Sequence, residues 1–163
     1  MTPKSRRYTK TKSKNFIKSQ ALILCGEKKM AETIVICKDG TVNSYLSALI
    51  IAANSKKGGE DIAVVFVQEG LAALVDKKFR YDPGLESYAA DIEKNAAEMG
   101  VPSDPLELIK MASSAGVPLY ACYAWMKLLG GKPPRFDVPE GLQKLELPDL
   151  LKELSTAKKV ITL

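Results

Sequence analysis

The sequence predicts a single three-layer α/β domain built on a mainly parallel, five-stranded sheet. Two observations carry that prediction. Short apolar runs alternate with helical patterns from Met30 to Leu163, and the clearest runs are continuously apolar, as in strands covered on both faces. A chain of 163 residues with a hydrophobic fraction of 46% is long enough for one such domain with a substantial core.

The elements follow in order. Thr33-Ile34-Val35-Ile36-Cys37 reads as a buried strand, closed by the turn Lys38-Asp39-Gly40 and followed by a helix over about 42–57 that Gly58-Gly59 ends. Residues 61–67 make a second buried strand, and 70–75 a short helix over its end. Pro83-Gly84 lies in the connection to a helix near 86–99. Pro102 and Pro105 lead to a helix at about 105–115, with Leu106, Ile109 and Met111 toward the core. A third strand over 117–121 delivers Cys122 to a helix at 123–129. Gly130-Gly131-Lys132-Pro133-Pro134 is a loop signature, 142–145 a short fourth strand, 147–154 a helix and 159–163 the last strand. The chain has no internal repeat. Its longest strongly apolar stretch, 46–53, falls far short of the roughly 20 residues a membrane span needs.

Charge is unevenly placed. Of the 24 basic and 19 acidic residues, nine bases and one acid lie in 1–29, a local charge of +8, while 30–163 carries −3. Residues 1–29 therefore read as a basic, solvated, disordered extension dispensable for the fold, and 30–163 as the domain. The basic character belongs to the tail, which argues against nucleic-acid binding by the domain. Ala21-Leu22-Ile23-Leu24-Cys25 follows positive residues but is shorter than a signal h-region and lacks an A-x-A-like cleavage site. The expectation is a cytoplasmic protein, and Cys25 is assigned no role.

The absence of histidine excludes Ser-His-Asp and Cys-His catalysis and imidazole zinc sites. Cys25, Cys37 and Cys122 have no C-x-x-C spacing, so no dithiol motif or four-cysteine zinc site is available within one chain, and no metal or cofactor is expected. Single-thiol chemistry remains. Cys122 is the candidate nucleophile, because a cysteine between a strand end and a helix's first turn sits among unpaired N–H groups that favour thiolate over thiol. The competing reading is a small buried hydrophobe.

Ligands of such folds bind beyond the carboxyl ends of the strands, where strand order reverses. A flavodoxin-like order, 2-1-3-4-5, makes strands one and three neighbours and brings Cys37 and Cys122 together there. Cys37 is then a packing residue or a resolving thiol, the latter requiring a Cα separation below about 7 Å. Lys38 is the cation expected to assist Cys122. Asp39, Thr41 and Asn43 line the same cleft, with Thr41-Val42-Asn43-Ser44 either an anion cradle or an ordinary helix cap. Tyr123 and Trp125 flank Cys122 as core, interface or cleft residues. Lys77-Lys78-Phe79-Arg80-Tyr81 mixes bases with aromatics, as a solvated loop or a guide for an anionic donor, nucleotide or partner.

The succession Ile34-Val35-Ile36-Cys37-Lys38-Asp39-Gly40, Val64-Val65-Phe66-Val67 and Gly116-Val117-Pro118-Leu119-Tyr120-Ala121-Cys122-Tyr123-Ala124-Trp125-Met126 resembles the DsrE/DsrF-like family of small sulfur-relay proteins, over nearly all of 32–163. The resemblance implies a flavodoxin-like domain without bound flavin and a homo-oligomer. It places the family's reactive cysteine on Cys122, carrying or transferring sulfane sulfur as a persulfide. The implied partners are donor and acceptor proteins or small thiols. Many relatives have Ser-Met three and four residues after that cysteine, where this chain has Trp125-Met126. The alternative is a non-enzymatic module of the same fold that binds a small anion or a partner protein.

Overall fold

The computed structural model describes residues 31–130, 138 and 141–163. The basic extension at 1–29, Cys25 and most of the loop at 130–134 lie outside the described residues. Among those described, the strands are β1 (Thr33–Cys37), β2 (Ile62–Phe66), β3 (Leu119–Cys122), β4 (Leu142–Leu145) and β5 (Lys159–Thr162). The helices are α1 (Val42–Lys57), α2 (Gln68–Asp76), α3 (Ala89–Glu98), α4 (Pro105–Ser114), α5 (Tyr123–Leu128) and α6 (Leu147–Thr156), with a short 3₁₀ turn at Glu86–Tyr88. None of the described helices is long and apolar enough to cross a membrane.

All strand pairs are parallel, and the order is β4-β3-β2-β1-β5. The α/β architecture and five-stranded sheet agree with the sequence reading, but the order 2-1-3-4-5 does not hold. The reason lies in β2. Each residue of Ile62-Ala63-Val64-Val65-Phe66 is buried, so this strand cannot stand at an edge and takes the centre. The edges fall to β4 and β5, where Gln143, Lys144, Lys159 and Thr162 keep polar side chains exposed.

Crossover handedness then distributes the helices. Passing from β1 through β2 to β3 in one direction puts α1 and α4 together on one face, where Tyr45, Leu49, Leu108 and Ile109 pack on Val35, Val64, Phe66 and Leu119. The return from β4 across the sheet to β5 lays α6 on the other face, with Leu150 against Ile34, Val65, Cys122 and Leu145. Asp104 caps α4 by accepting from the N–H groups of Leu106 and Glu107, with Pro105 in the first turn.

The second face is thinly covered. Leu150 is the only fully buried residue of α6, and Leu154 is half-buried beside it. Val160, which shares the register of Ile34, is 46% exposed. Phe66→Ala is accordingly expected to cost about 3–5 kcal/mol and Val160→Ala under about 1 kcal/mol, measured by urea unfolding.

Candidate functional site

The carboxyl ends of β1, β2 and β3 carry the residues singled out by the sequence, and the structure separates them. In register, Cys37 stands beside Phe66 and Phe66 beside Ala121, so β2 lies between the two cysteines. Two strand spacings amount to about 9–10 Å, beyond disulfide reach. Pleating adds a second separation: Cys37 joins the core under α1 and α4, while Cys122 joins the opposite one under α6. The expected meeting at a switch point does not occur, and Cys37 is no resolving thiol for Cys122 in this arrangement.

Cys37 is fully buried, and its Sγ lies 3.8 Å from the Asp39 carbonyl oxygen to which it donates. Burial first, and the Asp39 carboxylate second, push its thiol up to about 12, with Lys38 opposing weakly. Lys38 pairs instead with the Asp39 carboxylate at 2.9 Å, in the turn that follows β1 rather than beside Cys122.

Cys122 ends β3 and is the residue from which α5 starts, with φ −65° and ψ 111° and no side-chain cap hydrogen bond. Only 2% of its surface is exposed. Tyr120, Ala124 and Trp125 are half-buried around its cluster, and Trp125 touches both cores. Burial and then Glu153 raise the Tyr120 phenol, so it remains protonated at neutral pH and is no base for a thiol. Tyr123 turns away to the other core, its ring 4.3 Å from the Lys127 ammonium and 5.5 Å from that of Lys144.

The anion cradle expected at Thr41 to Ser44 is filled by the chain itself. Residues 80–82 run against the start of α1: Thr41 bridges Arg80, the Val42 N–H donates to the Arg80 carbonyl at 2.9 Å, and the Asp82 N–H donates to Asn43 Oδ1 at 3.0 Å. Thr41 occupies the cap position without a side-chain cap bond, its hydroxyl donating to Ser44 Oγ at 3.0 Å. Phe79 anchors the strap edge-on against Tyr45, ring centroids 5.5 Å apart. The mixed basic and aromatic segment is therefore a packed strap with Lys77 and Lys78 at its exposed start. Beside it lies a cleft of about 480 Å³, lined by Asp39, Thr41, Asn43, Arg80, Asp82 and Glu86 among others. Its carboxylates outnumber Arg80, which disfavours an anion. Among the described residues no cluster of cysteine and carboxylate groups is arranged to hold a metal ion.

Sequence reasoning missed the crossing of α2 over the β1 loop. The Gly70 N–H donates to the Lys38 carbonyl at 2.7 Å, the buried Tyr45 hydroxyl donates to the Gly70 carbonyl, and a Cβ on Gly70 would stand 2.5 Å from the Cys37 carbonyl oxygen. A Cβ on Gly40 would likewise meet the Glu69 carbonyl at 2.7 Å. Two glycines thus permit backbone to cross backbone. The chain enters this crossing through Gln68, whose φ of 49° lies in the left-handed region that costs non-glycine residues roughly 1–2 kcal/mol. The visible signal was Gly70 just past a buried strand, which marks close backbone approach.

No family model matches the chain, and no curated protein sequence matches it. Among solved structures, the ychN protein of E. coli superimposes over 82% of this chain and 100% of its own length, at 15% sequence identity and a TM-score of 0.53. The ychN protein has a DsrE-like fold. At that identity the likeness is one of fold.

Two outcomes follow from this geometry. Gly70→Ala should lower stability by about 1–3 kcal/mol, because the contact is with backbone, read from urea midpoints. Cys37 ionises near 9.0 when exposed and near 12 when folded, so its contribution is complete below pH 9 and lost as pH rises toward 12. Tyr45, raised by burial and by Cys37, adds the same sign above about pH 10. Stability should fall by up to about 1.4 kcal/mol per pH unit between pH 9 and 10, and Cys37→Ala should flatten that segment.

Proposed function

We propose that this chain is a DsrE-type sulfur-handling protein in which Cys122 carries sulfane sulfur as a persulfide beneath a displaceable cover. The observation that supports it is the placement of Cys122: the last residue of β3, directly preceding α5, in a sheet of DsrE-like fold. Loading requires the thiol to lose its proton to solvent and the thiolate to attack a sulfane sulfur. With an inorganic polysulfide, one S–S bond forms to Cys122 and one breaks, and the shortened polysulfide leaves as the anion. No oxidant is consumed. A thiol acceptor reverses the logic by attacking the outer sulfur and leaving Cys122 as thiolate.

The cover is compatible with such a cycle. Leu150 is the only fully buried residue of α6, with Leu154 half-buried beside it, and burying one leucine is worth about 1.5–3 kcal/mol. Opening at α6 is therefore a local event that leaves the larger core under α1 and α4 intact. Closed, the apolar neighbours Ile34, Val65, Leu145 and Leu150 shield a persulfide from bulk thiols. Donor and acceptor, whether proteins or small thiols, act on the opened form, and assembly as a homo-oligomer is part of the same proposal.

The 2% exposure of Cys122 favours a second reading, in which the thiol only packs and the protein is a binding module. Its ligand would then enter the cleft beside Asp39 and Asn43 and be neutral or cationic, given the carboxylates there. One experiment separates the two. After incubation with inorganic polysulfide, intact-mass and peptide mapping should find one added sulfur on Cys122, absent in Cys122→Ser, retained in Cys37→Ser and released to a thiol acceptor. No adduct, together with no alkylation of Cys122 in the folded protein, would leave the binding module as the answer.

A further inference from the structure

The face of the sheet under α6 is only partly covered, and we propose that residues 21–25 of this same chain dock there and complete the cover over Cys122. The inference does not depend on the sulfur-handling reading. A helix with its side chains is about 10–12 Å across, whereas four strand spacings amount to about 19 Å, so one helix leaves part of a five-stranded face bare. The consequence is visible in the side chains. Leu147 and Leu151, one helical turn apart on α6, are 43% and 59% exposed, and Val160 stands 46% exposed although its register partner Ile34 is fully buried.

The chain outside the described residues meets the fold at the foot of this face. Ala31 is buried, and the Glu32 carbonyl accepts from the N–H groups of Lys158 and Lys159 at 2.8 and 3.2 Å, where α6 hands over to β5. The Lys158 ammonium donates to the Glu32 carboxylate at 2.8 Å and ties the same corner. Only Gly26-Glu27-Lys28-Lys29-Met30 separates Ala31 from the apolar run Ala21-Leu22-Ile23-Leu24-Cys25. Five residues reach about 17 Å, and Leu151 lies about 8 Å back along α6 from Thr156. The run therefore comes within reach of both Leu151 and Val160.

Composition and charge select this occupant. No other stretch outside the described residues sets more than two large apolar residues side by side. Followed back from Ala31, the run climbs α6 toward its first turn, where Glu146 and Asp149 are exposed, and the bases Lys18 and Lys14 come next in the chain. Opposite charges at that end fix the direction in which the apolar run lies. Docked, the run covers Val160 and braces α6, the element whose displacement uncovers Cys122.

Cys25 travels with the run and supplies the test. Full-length Leu151→Cys, prepared as a mixture of isotopically light and heavy protein, is treated with diamide and peptide-mapped. Ile51→Cys, an exposed site on α1 across the sheet, is the control. An intramolecular disulfide from Cys25 to the cysteine introduced at 151 should form about tenfold faster than to the one at 51. Light–heavy disulfides would show that a second copy covers the face, and equal rates at the two positions would leave the face to another partner; either result overturns the proposal. In the full chain, Leu22→Ser/Leu24→Ser should speed alkylation of Cys122 about fivefold while Cys37 stays unlabelled. An unchanged rate at Cys122, or labelling of both cysteines alike, would overturn the claim that the run completes the cover.

Discussion

The burial of β2 on both faces is the constraint from which the rest of the architecture follows. Ile62-Ala63-Val64-Val65-Phe66 has no residue that tolerates water, so it must have strands on each side and helices above and below. Placing it between β1 and β3 forces two successive right-handed crossovers in one direction, which gathers α1 and α4 on one face and makes that face the main core. The chain then has one way left to complete the sheet, a return over the opposite face to pair β5 with β1. A single helix makes that return, and the second face is correspondingly the weaker one.

That asymmetry decides what each cysteine can do. Cys37 is bound into the strong face, beside a backbone crossing closed by Gly40 and Gly70, and its thiol is held protonated by the same burial that stabilises the domain. Cys122 is equally enclosed but on the weak face, under α6, which commits one fully buried residue to that core. Burial alone therefore does not make two thiols equivalent. The free energy needed to uncover them differs, because the elements above Cys37 belong to the main core and those above Cys122 do not.

Much of this was legible in the chain and some of it was misread. The strands, the long helix through Tyr45 and Leu49 and the placing of Cys122 between strand and helix were visible as apolar runs and periodicity, which are local properties. Strand order is not local, yet it too had a signal. The unbroken apolar run at 62–66, set against Gln143-Lys144 and Lys159 in the short strands, already distinguishes a central strand from edges. The pairing of Cys37 with Cys122 failed for the same reason, since it was inferred from an order that left β2 at an edge. Gln68 was illegible because strain arises from what α2 meets in space, the carbonyls of Cys37 and Lys38, and no spacing within 67–70 records that encounter.

The position of Trp125 links the two faces and makes a simple lid an incomplete description of any opening at Cys122. Its side chain packs against both cores, three residues into a chain segment that starts at the enclosed cysteine. Displacing α5 to uncover Cys122 would thus disturb the main core through Trp125 and Met126, whereas displacing α6 releases Leu150 and the half-buried Leu154 from the smaller one. The cheaper motion is the second one. It also leaves β3, β2 and the clamp at Gly70 in place, so the strand end that carries Cys122 keeps its position while the apolar cover moves aside. A thiol carried on a fixed strand end has its orientation settled before any reactant arrives.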